Sequence, residues 1–517
     1  MRKIRILWTD DEIEALKPHI FFLEEKGYEI DTCSNGNDTL DLVRQNWYDL
    51  IFLDENMPGL SGIETLRQIK EIRTDIPVVM VTKSEEENIM EAAIGSETAD
   101  YLIKPVKPNQ ILMAIKKILD QRRLVTEKTT TDYRQDFNRI SSMISSAITF
   151  SDWTELYRKI VFWESELEKS SDSGMDEILR MQENEANSAF SRFIMNNYLK
   201  WLEPGTKDAP LMSHHLFSEK IFPKLHPHKP LFFILIDNMR FDQWKTIAAE
   251  LTGLYKILEE NIYCSILPTA TQFSRNSIFA GMMPSQIEKT LPDLWINEDE
   301  DEGKNNYEEF LFQNQLNKKA LNHKWSYYKI SGGAEGKRIN EKIHAMLDND
   351  INILVFNFVD MLSHARTDVG LIRDLANDER AYRSVTRSWF LHSSLFELLK
   401  TLAEHPVKVV FSTDHGTIRV QNPVKVVGDR KTSLNLRYKM GRNLDYDPKK
   451  VFEIINPEKA FLPKTNISSR YIFATNKDYL VYQNNFNQYA TYYKETFQHG
   501  GISMQEMLLP IATLEPV

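Results

Sequence analysis

The chain has 517 residues, too many for one hydrophobic core, so two or three domains are expected. A formal net charge of -11 and a pI near 5.7 argue against a genomic DNA-binding output. Two cysteines, Cys33 and Cys264, exclude a disulfide framework and a cysteine zinc knuckle and read as small buried hydrophobes. The opening Met-Arg-Lys-Ile-Arg-Ile enters a strand at once, leaving no room for a signal peptide, and no apolar run is long enough for a bilayer. A cytoplasmic protein without membrane insertion is the expectation. In residues 1–120 the runs Ile4-Arg-Ile-Leu-Trp8, Tyr28-Glu-Ile-Asp-Thr32, Asp49-Leu-Ile-Phe-Leu53, Ile76-Pro-Val-Val-Met-Val81 and Asp100-Tyr-Leu-Ile103 alternate with segments of helical periodicity. Five such βα units predict an open, doubly wound sheet.

Carboxylates stand at the ends of these strands: Asp10 and Asp11 after the first, Asp54 after the third. Like charges this close repel, and a magnesium ion is the natural way to keep them ionised. Thr82 ends the fourth strand and Lys104-Pro105 the fifth, giving a hydroxyl and a cation suited to a phosphoryl oxygen. The segment resembles the receiver domain of two-component response regulators, a flavodoxin-like fold. The resemblance implies Asp54 as phosphoacceptor, with magnesium held by Asp10, Asp11, Asp54 and the backbone carbonyl of Asn56. It also implies Thr82 and Tyr101 as the switch pair, Lys104 as the phosphate contact, a cis bond before Pro105 and a sensor histidine kinase as partner.

From Lys107 to Trp201 there is no strand pattern. Phe137, Ile140, Ile144 and Ile148, then Trp153, Leu156, Ile160, Trp163 and Leu167, recur at helical spacing, and Ser170-Ser-Asp-Ser-Gly174 marks a break. This predicts a helical linker bundle over 121–203, with the aromatic stripe as core. Its task would be to transmit the receiver's state, by packing differently on the domain that follows or by setting a dimer. No helix-turn-helix is evident.

In residues 204–517 three apolar runs end in aspartate: Leu231-Phe-Phe-Ile-Leu-Ile-Asp237, Ile351-Asn-Ile-Leu-Val-Phe-Asn-Phe-Val-Asp360 and Val407-Lys-Val-Val-Phe-Ser-Thr-Asp414. In a parallel α/β sheet the carboxyl ends of such strands face one crevice. His364 follows Asp360 at i+4, His415 follows Asp414 directly, and His499 opens a His-Gly-Gly. Pro268-Thr-Ala-Thr-Gln-Phe-Ser-Arg275 reads as a loop opening a helix, with Thr271 at or near its N-terminus. One hydroxyl, three aspartates and three histidines suit two divalent ions, and a threonine on such an ion could attack phosphorus in line.

The order Asp, Thr, Asp-x-x-x-His, Asp-His, His resembles the alkaline phosphatase superfamily, and Asp-Asn-Met-Arg-Phe-Asp242 with His-Gly-Gly-Ile-Ser503 resembles its PglZ branch. The resemblance implies one zinc on Asp237, Thr271, Asp414 and His415, a second on Asp360, His364 and His499, and Thr271 as nucleophile. Arg240 either contacts phosphate or pairs with Asp242. An acidic run, Asn297-Glu-Asp-Glu-Asp-Glu302, reads as a solvated loop. Residues 428–450 carry Arg430, Lys431, Arg437, Lys439, Arg442, Lys449 and Lys450, either a phosphate-gripping flap or a plain surface loop.

The whole resembles the PorX-type response regulators, a receiver-plus-PglZ architecture associated with type IX secretion control. That likeness implies a zinc-dependent phosphoesterase output, first a phosphodiesterase on nucleotides or oligonucleotides, with a phosphorylation-promoted homodimer. The alternative is a phosphorylation-dependent scaffold with a structural metal site, binding a sigma factor or a secretion-motor protein.

Overall fold

The computed structural model describes residues 4–517 apart from 75, 84–97, 170–172, 227–228, 297–304, 369–377, 429–432, 465 and 467, and apart from the side chains at 120–128, 173, 334 and 365–368. By their contacts the described residues form two compact units, Met1–Tyr133 with Lys169–Asp172, and Arg134–Glu168 with Ser173–Val517.

In the first unit β1 (Arg5–Thr9), β2 (Glu29–Cys33), β3 (Leu50–Asp54), β4 (Val78–Thr82) and β5 (Asp100–Ile103) make one parallel sheet in the order β2-β1-β3-β4-β5. Alternation along the strands feeds two cores. Leu7, Ile51, Leu53, Val78 and Met80 pack with Leu40, Val43, Leu66 and Ile69, while Ile6, Trp8, Leu50, Phe52, Val79 and Val81 pack with Leu23, Ile111 and Ile115. Helices cover both faces, which is why the central strands β3 and β4 are buried throughout. After β3, Ser61 and Glu64 close a capping box that starts the helix Gly62–Ile72. A Cβ at Gly62 would stand 2.3 Å from the Asp54 carbonyl, so the loop after Asp54 can fold this tightly only over glycine.

The second unit begins with helices. Ile140 and Ile144 on the helix Pro108–Ser146, and Trp153, Leu156, Ile160, Trp163 and Leu167 on Phe150–Glu168, are buried as the periodicity predicts. Ile148 is not: it is 78% exposed, because the first helix stops at Ser146 and Ile148 falls in the connection. Trp153 packs edge-on against Phe190 of the helix Ser173–Trp201, and Gln182 of that helix donates to the Phe137 carbonyl at 3.0 Å. Residues 170–172 of the expected break lie outside the described residues, and Ser173 and Gly174 already belong to the third helix.

The main sheet of this unit has the order β7-β19-β10-β6-β9-β8, with β6 (Leu231–Ile236), β7 (Tyr255–Cys264), β8 (Trp325–Ile330), β9 (Ile351–Phe356), β10 (Lys408–Ser412) and β19 (Leu508–Pro516). The strands β10, β6, β9 and β8 are parallel, while β19 runs antiparallel to both β10 and β7. β6 and β9 are buried throughout and therefore read as continuous apolar runs. One expected strand is shorter: β9 ends at Phe356, and Asp360 lies in the first turn of the helix Phe358–Asp368. The apolar run continues past the strand because Phe358 and Val359 begin the helix, where the N-terminus also favours a carboxylate.

Smaller sheets complete the unit. They pair β11 (Ile418–Arg419) with β18 (Phe497–Gln498), β14 (Asp445–Tyr446) and β17 (Asp478–Tyr482) with β12 (Asn422–Val427), and β13 (Tyr438–Gly441) and β15 (Val451–Ile454) with β16 (Arg470–Ala474). They correct the reading of the basic stretch. Arg437 is fully buried on Glu506 and the Ile502 carbonyl, and Lys439 is buried on β13 with its ammonium over the Tyr482 ring, so neither belongs to a surface flap. Arg430, Lys431 and the acidic run 297–302 lie outside the described residues.

Candidate metal centre

Asp237 is the residue after β6, and its amide donates to the Phe356 carbonyl of β9. Asn238 turns the chain at a φ of 62°, and Thr413 fastens that turn to the end of β10, accepting from the Met239 amide at 3.0 Å and donating to the His415 carbonyl at 2.9 Å. Two strand ends are thereby locked together, and Asp237, Asp414 and His415, all buried, offer ligand atoms within 4.8 Å of one another. His415 Nε2 lies 3.7 Å from Asp237 Oδ1 and 3.8 Å from Asp414 Oδ2. Thr271, first residue of the helix Thr271–Ala280, places Oγ1 3.0 Å from the same Nε2. His415 Nδ1 donates to the Gly416 carbonyl at 3.2 Å, which leaves Nε2 with its lone pair. Gly416 is required: a Cβ there would stand 2.0 Å from the Gln505 carbonyl.

A second group stands beside the first. Asp360, His364 and His499 also offer atoms within 4.8 Å, His364 Nε2 at 3.5 Å and His499 Nε2 at 3.9 Å from Asp360 Oδ1. Asp360 and His364 share a helix face at i,i+4, and Asn238 Nδ2 donates to Asp360 Oδ1 at 3.3 Å and Ser363 Oγ at 3.1 Å. His499 stacks on His415 with ring centroids 4.3 Å apart, so the two groups share a wall. Its Nδ1 donates to the Thr269 carbonyl, and the Thr269 hydroxyl donates to the Gly501 carbonyl, tying the Thr271 loop to the His499 loop. Burial, with His415 and His364 close by, pushes His499 well below the ordinary histidine range and keeps it a neutral imidazole.

The donor set fits divalent metal. Neutral imidazoles and carboxylate oxygens converge, and Asp237 Oδ1 is buried with no hydrogen-bond partner, a need that a cation would satisfy.

Sequence reasoning missed Arg275. It is one helical turn beyond Thr271 and fully buried, with Nε donating to Asp414 Oδ2 at 2.9 Å, an ion pair to Asp237 Oδ2, and Glu308 at 3.3 Å. Glu308 in turn accepts from Lys329 at 3.0 Å and Tyr327 at 2.6 Å. The signal was its i+4 spacing from Thr271. Burial pushes Asp237 well above the carboxylate range, whereas Asp414, equally buried, is held low by Arg275 and His415. The open question at Arg240 is resolved: its guanidinium is buried on Asp242, which also receives Arg383 at 3.1 Å. The helix Ser173–Trp201 reaches the same loops. Tyr198 accepts from the Leu267 amide at 2.8 Å, just before the Thr271 loop, and Asn187 accepts from the Met504 amide at 2.8 Å, just after the His499 loop.

In the first unit Asp10, Asp11 and Asp54 form another such group, with Asp10 and Asp54 buried and Asp11 exposed. Lys104 Nζ bridges Asp10 and Asp54 at 2.7 Å each, and Tyr101 is hydrogen-bonded to Thr82. Burial raises Asp54, against the pull of Lys104. Asn56 lies exposed on the loop after β3, and the Lys104–Pro105 bond is cis.

Residues 6–116 match the response regulator receiver domain, 123–202 the PorX response regulator linker domain, and 216–514 the BREX system PglZ alkaline phosphatase-like domain. The fold is thus a flavodoxin-like receiver, a helical linker and an alkaline-phosphatase-like α/β domain, the PorX-type architecture of response regulators. The chain belongs to the PglZ alkaline phosphatase-like family, whose match covers more than half of it. Transcriptional regulatory protein ResD of Bacillus subtilis is 36% identical over 115 residues, 22% of this chain and 48% of that protein. Regulatory protein VanRB of Enterococcus faecalis is 33% identical over 116 residues, 22% of this chain and 52% of that protein. The chain thus spans about half the length of these curated relatives. Among solved structures, a CheY-like receiver domain protein from Methanospirillum hungatei is 27% identical over 23% of this chain and 96% of its own, with a TM-score of 0.23. No helix among the described residues is long and apolar enough to cross a membrane.

Proposed function

We propose that this response regulator carries a zinc-dependent phosphoesterase as its output, acting first on phosphodiesters of nucleotides or oligonucleotides. The observation that carries the reading is Thr271 Oγ1 at 3.0 Å from His415 Nε2, where two groups of metal-binding side chains meet. Asp237, Thr271, Asp414 and His415 would hold one zinc, and Asp360, His364 and His499 the other. When bound, the pair supplies Lewis acidity to the phosphoryl oxygens and to the leaving oxygen. Thr271 Oγ1 would lose its proton to solvent and attack phosphorus in line, the alkoxide would depart with the electron pair of its P–O bond and take a proton from water, and a second water would then open the phosphothreonine ester and return the proton to Oγ1. The first turn of the helix Thr271–Ala280 favours negative charge on that oxygen.

The domains would run 1–120, 121–203 and 204–517. A sensor histidine kinase would phosphorylate Asp54, with magnesium on Asp10, Asp11, Asp54 and the Asn56 carbonyl, Lys104 on the phosphoryl group, and Thr82 and Tyr101 as the switch. Phosphorylation would promote a homodimer, and the setting would be type IX secretion control in the cytoplasm.

The test is metal content by mass spectrometry together with hydrolysis of p-nitrophenyl mono- and diester reporters, with and without chelator. The expected result is about two zinc ions per chain and chelator-sensitive cleavage that prefers the diester. Thr271→Val should lower it by about 10³-fold or more. Zinc bound without turnover would overturn the enzyme and leave the scaffold for a sigma factor or secretion-motor protein.

A further inference from the structure

We infer that Arg275 is a resident counter-ion of the first metal group, sharing Asp237 and Asp414 with the metal. The inference rests on the metal-binding reading of the site above. The geometry divides Asp237 between two tasks, while Oδ1 of Asp414 accepts from the amides of Asn238 at 3.3 Å and His415 at 3.1 Å. Arg275 takes Oδ2 of Asp237 and Oδ2 of Asp414, while Oδ1 of Asp237 is left without a hydrogen-bond partner on the side of His415. A guanidinium fork suits this, because it reaches two carboxylates in fixed directions and cannot lose its charge.

Charge explains why the position needs a cation. Asp237, Asp414 and Glu308 are all buried within reach of Arg275, and Lys329 is the further cation on Glu308. Without Arg275, two buried carboxylates would face each other uncompensated until a metal arrived. With it, the metal-free site is already paired, and an incoming dication meets a resident positive charge. Among the described residues the second group has no such partner: Asp360 receives the neutral amide of Asn238, and the side chain of His364 is 64% exposed. Arg275 therefore makes the first group stable when empty, at the expense of its affinity for metal.

The experiment uses the full chain and zinc alone as probe. Thermal melting and competition with a zinc-binding chelator dye compare the wild type with Arg275→Met and Arg275→Lys. In Arg275→Met the metal-free protein should melt lower, saturating zinc should restore most of the difference, and the tighter of two zinc ions should bind roughly tenfold more strongly. Arg275→Lys keeps the charge and should show a zinc-induced shift close to the wild type's. A zinc shift in Arg275→Met no larger than in the wild type would overturn the inference, as would a fall from two zinc ions to one. Should Arg275→Met fail to fold, Arg275→Lys decides against the wild type: a zinc-induced shift much larger in the lysine variant than in the wild type overturns it. Failure of the site itself reads differently, since the wild type would then bind no zinc.

Discussion

The molecule neutralises strand-end aspartates twice, and in two different ways. In the receiver, Lys104 bridges Asp10 and Asp54 at 2.7 Å each, its side chain 11% exposed at the end of a flexible stem. In the PglZ domain, Arg275 bridges Asp237 and Asp414 from a helix, its side chain 1% exposed. An ammonium is a mobile point charge that can transfer from a carboxylate to an incoming phosphoryl group, whereas a buried guanidinium is held in one geometry. On the proposed reading, one site would change occupant with each signal, and the other would keep its cation in place while the substrate changes.

The strongest way to break this comparison is at the receiver's acceptor. Asp54→Ala should abolish incorporation of phosphate from a small phosphodonor such as acetyl phosphate, followed by mobility on phosphate-affinity gels. Thr271→Val should leave incorporation unchanged. Residual incorporation in Asp54→Ala would move the acceptor elsewhere and remove Lys104 from the argument.

Next in size is the cost of removing each cation. Arg275→Met should destabilise the metal-free second unit by about 3–5 kcal/mol, the usual cost of stranding buried carboxylates. Lys104→Met should cost the first unit less, about 1–3 kcal/mol, because the lysine side chain is 11% exposed where that of Arg275 is 1%. Denaturant melts in chelator would test this, and equal costs would erase the distinction between a mobile and a fixed cation.

The same contrast explains what could be read from the sequence. Asp237, Asp414 and His415 were legible because they follow apolar runs directly, and a parallel sheet brings strand ends together whatever separates them in the chain. Asp360 was legible as a site residue but not as a helical one, since Phe358 and Val359 extend the strand's apolar run into the helix. Arg437 and Lys439 read as surface charge because their burial depends on Glu506 and Tyr482, far along the chain. Arg275 was hidden for the same reason. Its i+4 spacing from Thr271 places it on the helix face of the site but does not mark it as buried; the convergence of Asp237, Glu308 and Asp414 around it does.

A further effect concerns acid. His214, in the second unit, is lowered to about 3 by burial and by the neighbouring His215, whereas its unfolded value is near 6.5. Its folded pKa is depressed, so the unfolded chain takes up a proton that the folded chain refuses. The stability His214 contributes is therefore complete above about pH 6.5 and is lost as pH falls toward 3, at up to about 1.4 kcal/mol per pH unit. His214→Phe should flatten the acid side of the second unit's stability curve by that slope and leave the first unit's curve unchanged. His214 stands outside both groups of metal-binding side chains, so chelator should not alter the difference. Denaturant melts at pH 7.5, 6 and 5 would measure it, and parallel curves for variant and wild type would mean that His214 finds its proton in the folded state after all.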